Sequence, residues 1–278
     1  MSYQTIEIER QSAVATIWLN RPDVRNAFNE TSIAEITLAF RRLDQESSVR
    51  VIVLAARGTA FCAGADLNWM KKMAAHTEQE NLADAAGLAE MLRVIYHCTK
   101  PVIARVQGDC YAGGMGLVAA CDIAITTSNA GFCLSETRLG LIPATISPYV
   151  IRAIGERAAR RYFLTAERFD ATEAHRIGFV HEVVGEAALD SEIQKFTHAL
   201  LSCSPHALDE AKRLIREVSC ETINAELISD TVRRIAEVRS SEQGREGVQA
   251  FLNKRKPSWL ADTLTGTPAG TSTGTSNG

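Results

Sequence analysis

Lys100-Pro101-Val102-Ile103-Ala104-Arg105-Val106-Gln107-Gly108-Asp109-Cys110-Tyr111-Ala112-Gly113-Gly114-Met115-Gly116 is the stretch around which the rest of the chain is arranged. It opens with an apolar run of strand length and breaks into a glycine-rich turn. A small apolar helical run follows through Ala120, and a second strand is expected over 122–127. Glu136 comes next, shortly before Leu139-Gly140-Leu141-Ile142-Pro143. Glycines between a strand and a helix let the backbone approach a ligand closely. The first N–H groups of a helix have no intrahelical partner and carry the positive end of its dipole. Such a turn suits an oxygen that becomes negative during a reaction, and one carboxylate downstream could supply the proton chemistry.

A second turn of the same form lies upstream. The continuous apolar run 51–56 reads as a fully buried strand, and Phe61-Cys62-Ala63-Gly64-Ala65-Asp66-Leu67 follows it. Asp66 is placed to cap a short helix running through Met73. If the two strands are neighbours, two backbone N–H groups could hold one carbonyl oxygen between them. The alternative is two tight turns without catalytic duty. Gly114-x-Gly116-x-x-Ala119 also imitates a dinucleotide fingerprint. However, four residues separate Gly108 from Gly113, and the run is not in an opening βαβ unit. Glu136 is either a solvated loop carboxylate or one buried against Phe132, Cys133 and Leu134 before it and 139–143 after it. Burial there would raise its pKa and suit proton transfer.

The flanks supply a fold class. Residues 3–9 and 14–19 read as a hairpin around Arg10-Gln11-Ser12, and Asn20-Arg21-Pro22-Asp23 is turn chemistry. Asn29 or Thr31 caps a helix with Ile33, Ile36, Phe40 and Leu43 on one face. Another helix spans 78–97 with Leu82, Ala85, Leu88, Leu92 and Ile95 on one side. Buried strands alternating with helices imply an α/β chain with a mainly parallel sheet. Helices are expected over 146–154, 157–164, 172–177, 187–201, 205–218, 221–238 and 243–253, with 179–184 the one remaining strand. The Thr-, Gly- and Ser-rich run 263–278 cannot bury enough apolar surface to order itself.

Composition narrows the functional classes. A net charge of −3 offers no electrostatic case for nucleic acid or anionic membrane. No apolar run approaches a bilayer span, and the N-terminus has no signal-peptide pattern, so a cytoplasmic location is expected. The seven cysteines form no C-x-x-C and read as small core residues in a reducing compartment. The histidines show no ligand spacing, so no metal site is expected, and His175 and His181 are read as structural.

The chain resembles the enoyl-CoA hydratase/isomerase, or crotonase, family over residues 3 to about 258. The likeness is carried by Asn20-Arg21-Pro22, Arg25-Asn26-Ala27, Phe61 to Leu67, Lys100-Pro101, Gln107-Gly108, Gly113-Gly114, Cys121-Asp122, Phe132, Glu136, Gly140, Pro143 and Ala250-Phe251-Leu252-Asn253-Lys254-Arg255. The resemblance implies a crotonase-like spiral of ββα units over 1–195 and a helical trimerisation region over 196–258; composition leaves 259–278 as a disordered tail. It also implies a homotrimer, or a homohexamer made of two trimers. A CoA thioester carbonyl would sit between the N–H groups of Ala65 and Gly113, with Glu136 as the acid–base residue. Val24, Arg25, Ala63, Asp66, Leu67, Gly114 and Gly116 would line the CoA and substrate path, with Phe251 and Lys254 reaching a CoA, its own or a neighbouring subunit's. Coenzyme A is then part of the substrate, and no separate cofactor is implied.

One departure matters. Typical hydratases of the family carry two glutamates twenty residues apart; here the second is Glu136, and the first position holds Gly116. Together with Asp66-Leu67-Asn68-Trp69-Met70 and Ile146-Ser147-Pro148-Tyr149-Val150, Gly116 resembles the bacterial methylglutaconyl-CoA hydratase branch. The expected activity is hydration of a branched 2-enoyl-CoA with a distal carboxylate. A Δ3,Δ2-enoyl-CoA isomerase, for which one carboxylate suffices, and a non-catalytic acyl-CoA-binding protein remain open alternatives.

Overall fold

A computed structural model describes residues 3–260, so residues 261–278 of the expected tail lie outside the described residues; Trp259 and Leu260, expected to begin that tail, instead form a 3-10 turn with Ser258, and Trp259 Nε1 donates to Ser202 O at 3.1 Å. In chain order the elements are β1 (Ile6–Gln11), β2 (Val14–Leu19), α1 (Glu30–Gln45), β3 (Val51–Ala56), α2 (Leu67–Met73), α3 (Glu78–Tyr96), β4 (Val102–Val106), β5 (Cys110–Tyr111), α4 (Gly113–Ala119) and β6 (Ile123–Thr127). They continue with β7 (Gly131–Cys133), α5 (Ser147–Thr165), β8 (Phe169–Asp170), α6 (Ala171–Arg176), β9 (Glu182–Val184), α7 (Leu189–Ser202), α8 (Pro205–Val218), α9 (Ala225–Ser240) and α10 (Glu242–Leu252). The chain divides into two units, one ending at Leu200 and one beginning at Leu201.

In the first unit a six-stranded sheet runs in the order β1-β2-β3-β4-β6-β9. Only the β1–β2 pair is antiparallel; β2 through β9 pair in parallel, as alternation of buried strands and helices requires. Every residue of β3 is buried. Asn29 caps α1 by accepting from the Ser32 N–H, which sends Ile33, Ile36, Phe40 and Leu43 into the core. A second, three-stranded sheet joins β5, β7 and β8.

Several expectations are corrected. β1 begins at Ile6, because the Glu35 carboxylate takes the Gln4 and Thr5 N–H groups, both at 2.8 Å. Arg10 and Gln11 pair with Ala15 and Val14, so the turn is Ser12-Ala13. On α3 only Met91, Leu92 and Ile95 are buried; Leu82 and Ala85 are exposed, since the first half of the helix carries its apolar stripe past the core. After β6 the chain holds β7 and β8 besides β9, and these are too short to show a period of two. The helices expected over 146–154 and 157–164 form one run broken at Gly155, whose φ of 74° and ψ of 159° are non-helical. Of the seven cysteines, 62, 98, 110 and 133 are buried, whereas Cys203 and Cys220 are exposed. His181 is structural, its Nδ1 accepting the Ala124 N–H at 3.0 Å, but His175 lies exposed on α6.

The second unit is helical. Ser204, Asn224 and Ser241 cap α8, α9 and α10 by accepting from the Ala207, Leu227 and Gly244 N–H groups. Nothing in α9 is buried. Among the described residues no helix is long and apolar enough to cross a membrane.

Candidate active site

Three chain segments far apart in sequence run side by side. Cys62 bridges Cys110 in parallel, and Cys110 pairs in parallel with Phe132. The bonds are direct: Cys62 N–H donates to Asp109 O at 3.2 Å, Tyr111 N–H to Cys62 O at 2.8 Å, and Ala112 N–H to Cys133 O at 2.8 Å. Counting forward in register, Ala65, Gly113 and Ser135 leave the same end of these segments, and Glu136 is one step further on. This is the juxtaposition that two similar glycine turns could only suggest.

Each turn aims its amide by a different device. Phe28 pairs with Ala65: Phe28 N–H donates to Gly64 O at 2.9 Å, and Asp66 N–H to Phe28 O at 3.0 Å. In a parallel bridge the central residue's own N–H points to the other side, so the Ala65 amide faces away from Phe28. Gly64 has a φ of 90°, where a side chain would be strained and its Cβ would come within 3.1 Å of Ala112 Cβ. Ala112, at the head of α4, holds a φ of 48° and ψ of −123° without being glycine. Local strain of this kind costs ~1–3 kcal/mol and persists where the surroundings enforce it. Here the bond to Cys133 O and the β5–β7 pairing do so. The twist starts α4 at Gly113. Neither the Ala65 nor the Gly113 amide has an acceptor among the described residues.

Glu136 heads a 3-10 turn over Glu136–Leu139, which Gly140 closes in the left-handed region. Thr137 Oγ1 ties the turn to Phe163 O at 3.0 Å. The Glu136 Oε2 atom is buried and has no hydrogen-bond partner. Burial pushes its pKa up, opposed only by a bond from its own backbone N–H. Phe132, Cys133 and Leu134 before it are themselves buried, whereas Leu139, Leu141 and Ile142 after it are exposed, so the apolar cover expected from 139–143 is not formed by these three side chains.

Asp66 is more occupied than a ligand contact requires. Its Oδ1 accepts the Asn68 and Trp69 N–H groups at 2.8 and 3.3 Å, capping α2, and its Oδ2 pairs with the Arg21 guanidinium at 2.8 Å. Burial raises its pKa, but these partners prevail and hold it below the ordinary range. Arg25, in the left-handed region with φ of 53°, accepts the Ala63 N–H at 3.0 Å, so Val24, Arg25 and Ala63 lie on one surface. Leu67 is 75% exposed at the start of α2. Gly114 packs on Cys62, and a Cβ there would lie 2.8 Å from Cys62 Cβ. Gly116 is sealed: a Cβ would meet Ile146 Cγ2 at 2.3 Å. Phe251 and Lys254 belong to the second unit, where Phe251 is 82% exposed. Among the described residues no group of three His, Cys, Asp or Glu stands together as metal ligands.

Sequence reasoning missed Phe28, Ala112 and the duty of Asn26. The Asn26 amide donates to Arg57 O and Ala60 O at 2.7 and 2.9 Å, and its Oδ1 accepts the Arg21 N–H at 2.8 Å. The available signal was an asparagine just after the turn residues 20–23, since Asn tolerates the left-handed region and binds backbone; the structure buries it at φ of 55°.

Comparison with known proteins adds identity to this geometry. A sequence model described as enoyl-CoA hydratase/isomerase matches residues 9–262. A probable enoyl-CoA hydratase of Rhizobium meliloti is 35% identical over 257 residues, covering 92% of this chain and 98% of that protein. Among solved structures, a putative enoyl-CoA hydratase/isomerase (crotonase) of Legionella pneumophila is 44% identical with a TM-score of 0.88, covering 93% of this chain and 100% of its own. An enoyl-CoA hydratase of Shewanella pealeana is 43% identical with a TM-score of 0.90, covering 92% and 96%.

Proposed function

The chain belongs to the enoyl-CoA hydratase/isomerase family and has its crotonase fold, and we propose that Ala65, Gly113 and Glu136 hydrate a branched 2-enoyl-CoA. The observation that carries this reading is the orphaned, buried Glu136 Oε2, one register step beyond two unpartnered amides. The thioester oxygen sits between the Ala65 and Gly113 N–H groups, which stabilise the charge it gains as C3 is attacked; one such donor is worth ~3–4 kcal/mol. Ionised Glu136 takes a proton from water as the hydroxide oxygen bonds to C3, and the same carboxyl returns that proton to C2. One proton leaves water and one reaches carbon, so a single carboxylate closes the cycle.

The acyl group we propose is 3-methylglutaconyl or a related branched carboxylated chain, supported by Gly116 and the 146–150 run. Val24, Arg25, Ala63 and Leu67 line the nucleotide and pantetheine path in this reading, with Asp66 holding that path in shape. Phe251 and Lys254 meet a CoA in the assembled oligomer, a trimer or a pair of trimers. The sealing of Gly116 by Ile146 favours a second reading, Δ3,Δ2-enoyl-CoA isomerisation, because it leaves no space at that position for a second carboxylate. One assay separates the readings. Purified protein is offered 3-methylglutaconyl-CoA and unconjugated 3-enoyl-CoA esters, and the near-ultraviolet band of the conjugated thioester is followed. Hydration removes the band and isomerisation creates it. A pure binder leaves it unchanged, and that result would end both catalytic readings.

A further inference from the structure

We propose that Phe28 is a positioning residue that fixes the spacing between the two thioester-binding amides; the proposal rests on the assignment of Ala65 and Gly113 as those donors. Phe28 touches both turns by different means. Its backbone brackets Ala65, with its N–H on Gly64 O at 2.9 Å and its carbonyl on Asp66 N–H at 3.0 Å. Its ring crosses to the other turn. A Cβ built on Gly113 would lie 2.3 Å from Phe28 Cζ, 3.1 Å from Cε1 and 3.4 Å from Cε2. The tip of the ring is therefore pressed against the Gly113 backbone, which only a glycine allows.

The ring is itself held. Trp69 packs against it at 5.9 Å between centroids with a tilt of 56°, and Trp69 Nε1 donates to Asp84 Oδ1 at 3.0 Å. The preceding carbonyl, Ala27 O, accepts from the Arg21 guanidinium, and the following residue, Asn29, caps α1. Phe28 is 3% exposed, so its position is set by packing and not by solvent. A rigid ring thus spans from the bridge that aims one donor to the backbone that carries the other. Interiors packed at this density transmit small displacements instead of absorbing them. Because misplacing an oxyanion donor by a fraction of an ångström weakens it, the ring's length sets the strength of the hole.

The test reads carbonyl polarisation directly. The infrared C=O stretch of a bound CoA thioester is measured in difference spectra, beside kcat and KM, for the full chain and for Phe28→Leu and Phe28→Tyr. Phe28→Leu shortens the spacer; Phe28→Tyr keeps the ring and adds one oxygen at Cζ, where Gly113 lies. In the wild type the stretch is expected to fall on binding. In both variants it should move back toward its solution value, with kcat down by at least about tenfold and KM within about threefold. A merely structural role would lower the melting temperature without moving the stretch of the folded, thioester-bound protein. If Phe28→Leu does not fold, Phe28→Tyr gives the same readout. An unshifted stretch in the wild type would overturn the assignment of the amides themselves. A wild-type shift retained in full by a folded variant would overturn the role of Phe28 alone.

Discussion

Glu136→Gln is expected to lower kcat by ~10²–10⁴ while CoA-ester binding survives, because the amide keeps the shape and loses the proton. The same substitution is expected to stabilise the fold at neutral pH, since a neutral amide replaces a carboxylate whose ionised form burial disfavours. The sign follows from burial. The folded-state pKa is raised, so the native state binds the proton more tightly than the unfolded one. Stability is then full below the unfolded value and lost as pH rises through the folded one. The melting-temperature gap between variant and wild type should therefore widen with rising pH in that window and vanish below it. The acid limb of kcat/KM should lie above the ordinary carboxylate value of 4.5. Gly116 gives a second test. Gly116→Ala forces a methyl against Ile146 and should cost ~1–3 kcal/mol by denaturant unfolding; added to Ile146→Ala, which opens a cavity of its own, the same methyl should cost much less. Glu136 was legible in the sequence as a lone carboxylate among apolar neighbours. The sealing of Gly116 was not, because Ile146 is thirty residues away.

At the scale of elements, caps and breaks carry the stability predictions. Asp66→Ala removes the cap of α2 and leaves the Arg21 guanidinium without its carboxylate, at an expected cost of ~2–4 kcal/mol; Asp66→Asn, which can still cap, should cost less. Differential melting of the two variants separates cap from ion pair. Gly155→Ala tests the break in α5. Nothing lies within 4 Å of a Cβ there, so any loss is backbone strain at φ of 74°, about 1–3 kcal/mol. The helices were largely readable, since apolar spacing and capping residues are local. β5, β7 and β8 were not readable, since segments of two or three residues gain their pairing from neighbours distant in sequence.

At the scale of the molecule, the second unit exposes Ile228, Val232 and Ile235 on α9, a helix that buries nothing within the chain. Amphipathic helices with an uncovered apolar face are expected to associate. Light scattering should therefore give the mass of a trimer or hexamer, and Ile228→Asp/Val232→Asp should lower it. A monomeric wild type at micromolar concentration would leave the exposed face without that explanation.

The residues themselves determined the local pieces: two glycine turns after buried strands, one carboxylate among apolar neighbours, a helix cap at Asp66, one at Asn29 or Thr31, and a motif set that resembles one family. These are local properties, fixed by backbone freedom, hydrogen-bonding capacity and periodicity over a few residues. Tertiary structure decided how those pieces meet. The register of Cys62 with Cys110 and Phe132 brings Ala65, Gly113 and Glu136 to one end of three segments. The Phe28 ring joins the two turns, and Ile146 closes the space beside Gly116. Such contacts depend on which distant side chains share a volume, and close packing fixes that only after the whole chain has condensed.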